Sequence, residues 1–205
     1  MQKPHLIIIA GCNGAGKSTY SRALVNLVIP FDYDKQFLKN YENLLDSDIR
    51  DVMASNLTIN QFTEQIEKAF ESRSSFCYET NFHENPLYWA TKAKELGYKL
   101  DLIFFCLSTI EIAEKRVNYR TKNKGHFVSN QTIKERWKLG YKNVNLYYSF
   151  FDYVLFIDNS IDYSLPNELF EIIKRDENEL EYRKFVGELP KYSKTRFPAI
   201  FDLIS

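Results

Sequence analysis

Apolar positions along the chain change period repeatedly. "HLIIIAG" (5–11) is a short, unbroken, β-branched run, as in a strand buried on both faces. Residues 17–27 then place Ala23, Leu24 and Leu27 at helical spacing. "LVIPFDYD" (27–34) predicts a second strand starting beyond Pro30, and a helix over 34–46 follows. Across 55–73, Ile59, Phe62, Ile66, Ala69 and Phe70 form an amphipathic stripe with Thr58 as its candidate cap. "SFCYE" (75–79) predicts a third strand, and 85–97 a helix with Pro86 near its start and Gly97 at its stop. "YKLDLIFFCLS" (98–108) is the clearest strand, and 109–122 a strongly charged helix. "KNKGHFVSN" reads as a loop, 130–150 as a helix and "YVLFIDNS" (153–160) as a last buried strand. "LFEIIKR" and "LEYRKF" predict a terminal hairpin packed on one edge.

Strands alternating with helices specify an α/β fold in three layers, α/β/α, around a mainly parallel five-stranded sheet. The expectation is one domain over 1–205, with a core at about 5–160 and a C-terminal extension, 161–205, that carries no legible motif. Composition narrows the class. At 44% hydrophobic and 26% charged residues the chain is globular rather than disordered. Lys plus Arg and Asp plus Glu each number 27, so the broad basic footprint of a nonspecific nucleic-acid binder is missing. Leu6 to Ala10 is too short an apolar run for an export signal, and nothing approaches the roughly 20 apolar residues of a membrane span. Cys12, Cys77 and Cys106 are widely spaced and suit a reducing compartment. The expected setting is the cytoplasm, with neither membrane nor nucleic acid as partner.

Gly11-x-x-x-x-Gly16-Lys17-Ser18 has the spacing of a phosphate-binding P-loop and lies between a predicted strand and a predicted helix. Glycines let such a loop curl around phosphate oxygens, and the helix start adds partial positive charge. The candidate ATP cradle is Gly11, Asn13, Gly14, Ala15, Gly16, Lys17, Ser18 and Thr19. Lys17 would reach the β- and γ-phosphates, and the Ser18 hydroxyl would help to hold Mg²⁺. Cys12, inside the loop, reads as a small filler, although a helix start nearby could depress its pKa.

Acids follow the second and third predicted strands in "FDYDK" and "CYET", so Asp32, Asp34 and Glu79 should face the crevice at the strands' carboxyl ends. Strand alternation would put Asp32 and Asp34 on one side, with Tyr33 opposite. One carboxylate would take the acceptor hydroxyl's proton, and another would support Mg²⁺ or grip the acceptor. Asp34 could instead cap the next helix. Arg116 and Arg120, spaced i and i+4, share a helical face; Lys122, Lys124, Gly125 and His126 follow, and Arg136 lies on the next helix. A helix–loop–helix with arginines suits a lid over the γ-phosphate. A salt-bridged surface helix, with Glu111, Glu114 and Lys115 as partners, is the competing explanation.

Taken in order, "GCNGAGKST", "FDYD", "CYETNF", "GYKLDLIFFCLS", "KRVNYR", "KGHFV" and "DNS" resemble the zeta-toxin family of P-loop kinases, over residues 6 to about 160. That resemblance implies ATP and Mg²⁺ as cofactors, the sugar of UDP-N-acetylglucosamine as phosphate acceptor, and an antitoxin protein as partner. It places Asp34 as catalytic base and Glu79, Thr80 and Asn81 in the acceptor pocket, with Asp32 nearby. It brings Arg120 and Arg136 to the γ-phosphate with Arg116 beside them. The chain departs from the family in having one glycine before His126, no proline soon after it, and "ETNFH" in the acceptor loop. A kinase for a nucleoside or other metabolite, and a noncatalytic ATP-binding regulatory module, are the rival readings.

Overall fold

The computed structural model describes residues 3–25, 28–122, 128–176 and 179–204. β1 (His5–Ala10) leads through the glycine-rich loop into α1 (Lys17–Leu24), then α2 (Tyr33–Asn43) and α3 (Arg50–Glu71). β2 (Phe76–Thr80), α4 (Tyr88–Glu95), β3 (Lys99–Cys106), α5 (Ile110–Lys122), α6 (Asn130–Tyr147) and β4 (Tyr153–Asp158) follow. The chain closes with β5 (Asn167–Lys174), β6 (Leu180–Lys184), α7 (Ser193–Arg196) and α8 (Pro198–Ile204). Six strands form one sheet in the order β2-β1-β3-β4-β5-β6. The first four are parallel, with Ile8 beside Tyr78 on one side and Leu102 on the other. The β5–β6 hairpin continues that sheet antiparallel from β4. The central strands read as unbroken apolar runs because helices cover both their faces.

Residues 31–34 do not form the expected strand. Phe31 makes one parallel bridge to Tyr78, exchanging bonds with Cys77 O (2.9 Å) and Glu79 N (3.0 Å). The chain then turns into α2, because the Asp32 carboxylate accepts from Lys35 N (3.1 Å) and caps the helix. Asp32 and Asp34 therefore lie on a cap and a first helical turn, not on one face of a strand. The parallel set has four strands, and the hairpin brings the sheet to six. Thr58 is likewise not a cap. It lies inside α3, donating to Ala54 O (2.8 Å) and accepting from Asn40 Nδ2 (2.9 Å).

Aromatic rings line one face of the sheet, since Phe76, Tyr78, Phe104, Phe156 and Phe170 share a register. Phe62 of α3 contacts Phe31, Phe76, Tyr78 and Trp89, with ring centroids 5.2–5.9 Å apart. Farther along the same face Phe197, just after α7, sits among Phe104, Tyr141, Phe156 and Phe170. The C-terminal extension thus reaches into the core. Among the described residues, no helix is long and apolar enough to cross a membrane.

Candidate active site

The loop between β1 and α1 holds Gly11, Gly14 and Gly16 at positive φ. Gly16 is the tightest of these: a β-carbon there would collide with the Asn159 side chain, whose amide donates to Ala15 O at 2.9 Å. Ala15 N closes the turn on Cys12 O (3.1 Å). Cys12 is buried, which pushes its thiol up to about 11, so it is filler rather than nucleophile. The Lys17 ammonium folds over the loop, donating to Gly11 O (2.6 Å), Cys12 O (3.1 Å) and Asn81 Oδ1 (3.5 Å). Burial lowers its pKa, against the pull of Glu79.

Glu79 is the penultimate residue of β2, beside this loop, and is 6% exposed. Ser18 Oγ donates to its Oε2 (2.6 Å) and Ser21 Oγ to its Oε1 (2.9 Å). Desolvation raises its pKa, and the two hydroxyls only partly offset that. Thr80 and Asn81 continue from the strand end into a cleft of about 360 Å³, which Asn13, Gly14, Gly16, Lys17, Ser18 and Thr19 also line. Asp32, Asp34, Arg116 and Arg120 line the same cleft. Gly11, Ala15 and Arg136 stand behind this lining. Arg120 Nη2 donates to Asp34 Oδ2 at 3.1 Å, with both side chains about a third exposed.

Arg116 faces several partners at once. Its Nη1 donates to Asn159 O (2.8 Å) and Gly14 O (3.4 Å), and its Nε and Nη2 hold Asp162 (3.0 and 2.9 Å). Arg136 reaches the loop from α6 and donates to Asn13 Oδ1 at 3.0 Å. Arg116 thus pairs with Asp162 and loop carbonyls rather than with Glu111 or Glu114, while Arg120 meets Asp34 and Arg136 meets Asn13. Lys124, Gly125 and His126 lie outside the described residues.

The zeta toxin family model matches residues 1–146. The chain belongs to the zeta-toxin family. Among solved structures, that of the PezAT chromosomal toxin–antitoxin system of Streptococcus pneumoniae has a TM-score of 0.59 at 14% identity, covering 98% of this chain and 88% of that one. The AvrRxo1-ORF1:-ORF2 complex gives 0.64 at 15% identity over 98% of this chain and 66% of its own, and it has also been solved with ATP. A chain of the Pnkp1/Rnl/Hen1 RNA repair complex is matched over only 46% of its length. An uncharacterised protein of Haemophilus influenzae is 27% identical over 135 residues, 64% of this chain and 91% of its own.

Within this zeta-toxin fold, several groups in or beside the cleft were not singled out from sequence, Tyr20 and Val117 among them. Asn159 reads as the end of a strand motif, yet its side chain locks the P-loop. Ser21 sits one helical turn after Ser18, so the i, i+3 spacing around a buried acid was the available signal. Ile161–Ser164 line the cleft from a segment without any motif.

Proposed function

We propose that this zeta-toxin family kinase uses Mg-ATP to phosphorylate a hydroxyl of a small molecule, with the sugar of UDP-N-acetylglucosamine as acceptor. The observation that carries the reading is the placement of one carboxylate–arginine pair, Asp34 and Arg120, in the cleft that Lys17 and Ser18 line. Asp34 would take the acceptor's hydroxyl proton as its oxygen attacks the γ-phosphorus. Arg120 would leave Asp34 for the γ-phosphate oxygens, while Lys17 would trade its loop carbonyls for β- and γ-phosphate oxygens. Ser18 and Glu79 offer the hard oxygens that suit Mg²⁺, whose charge would offset that of the phosphates. The AvrRxo1 neighbour solved with ATP supports ATP as donor, and the PezAT likeness supports a protein antitoxin as partner.

A different acceptor, a nucleoside or other metabolite, is the second reading, favoured by the departure of the acceptor loop from the family at "ETNFH". The test incubates the protein with Mg-ATP and either UDP-N-acetylglucosamine or a mixed metabolite pool, and weighs the products. Asp34→Asn is expected to lower transfer by about 100-fold or more with ATP affinity kept, and Lys17→Ala to remove both binding and transfer. Transfer that persists in Asp34→Asn moves the base to Asp32. Tight ATP binding with no phosphorylated product from any pool favours the regulatory module.

A further inference from the structure

We infer that the segment after β4 forms a nucleobase clamp, with Tyr163 stacking on the base of the donor nucleotide and Ile161 supporting it. Tyr163 is fully exposed and held at φ 61°, a left-handed backbone that disfavours side chains other than glycine's. Burial in the core does not explain a tyrosine there. Ile161 is also exposed, at 62%, and both residues line the cleft, in a segment that meets Tyr20 of α1. The segment is anchored around them. Lys115 and Arg116 grip Asp162 (3.1 and 2.9 Å), and Tyr20 OH donates to Ser164 O at 3.2 Å. The ring is thereby presented on a fixed frame and needs little ordering when it binds.

The inference rests on the phosphate-loop reading above. With phosphates at Lys17 and Ser18, the base of a nucleoside triphosphate extends toward this lip, where a planar ring finds an aromatic face. Two polar side chains of the lip are engaged elsewhere: Asp162 is taken by the two cations, and the Ser164 hydroxyl donates to Leu165 O (3.2 Å). Recognition there is by stacking, so adenine and guanine nucleotides bind alike.

Calorimetric titration of the full chain with Mg-ATP, Mg-GTP and Mg-tripolyphosphate separates the contributions. Tyr163→Ala should weaken ATP and GTP binding about ten-fold or more. Tripolyphosphate affinity should stay within about two-fold of the parent, and Tyr163→Phe should retain the parent's nucleotide affinity. Tyr163→Gly, which suits the backbone, repeats the test if the alanine variant unfolds. Unchanged ATP affinity in these variants, or an equal loss for tripolyphosphate, overturns the clamp. Failure of the unaltered chain to bind any of the three ligands sinks the phosphate-loop reading, and the clamp with it.

Discussion

A carboxylate as buried as Glu79 sits where its charge is costly, and two serine hydroxyls only partly compensate. Its folded pKa is raised above the ordinary 4.5, so the fold holds this proton to higher pH than the unfolded chain does. The associated stability is present below 4.5 and is lost as pH rises through the folded value. Glu79→Gln removes this titration. Its melting temperature relative to the parent should therefore climb as pH rises above 4.5, as followed by thermal unfolding. A difference that is flat or shrinking with pH would mean that the burial is not what shifts this carboxyl. Sequence placed Glu79 at the end of its strand, but could not foresee which hydroxyls would meet it, since those depend on how β1 and β2 pair.

Among the elements, α6 does more than carry one arginine. Arg136, Gly140 and Asn143 fall along one side of it, and each touches the site. Arg136 holds Asn13, a β-carbon on Gly140 would come 3.0 Å from Asn81 O, and Asn143 Nδ2 donates to Phe82 O (3.0 Å) and His83 O (2.6 Å). The helix therefore braces the segment after β2, Asn81 to His83, against the P-loop. Alanine in place of a mid-helix glycine ordinarily adds about 1 kcal/mol of stability. Gly140→Ala should show no such gain in chemical unfolding, and should slow transfer while ATP affinity holds. A fully realised gain with unaltered kinetics would leave the brace without a role. The helix itself was legible in sequence, because its apolar period is strong. Its contacts were not, because they depend on crossing geometry. The missing strand at 31–34 failed for a local reason: Asp32 capping Lys35 outcompetes the apolar run before it. Exposed Ile49, Val52, Met53 and Leu57 blurred the stripe that would have revealed the full α3.

Across the whole molecule, the sheet order gathers what the chain disperses. β1 lies between β2 and β3, so the P-loop opens between Glu79 on one side and the start of α5 on the other. Strand alternation with helices made this architecture readable, and the motifs located most of the cleft. The C-terminal hairpin was legible too, but the helices after it stayed opaque because their contribution is packing: Phe197 is fully buried among four aromatic rings. Phe197→Ala should cost about 3–5 kcal/mol in urea denaturation. A loss below about 1 kcal/mol would place the terminal helices outside the cooperative unit. The Asn159 contact carries a practical consequence for dissecting this protein. A fragment ending at residue 146 would retain every letter of the phosphate signature, yet lack the distant amide that keeps its curl in shape. Minimal versions for engineering or complementation should therefore be cut well downstream of that boundary.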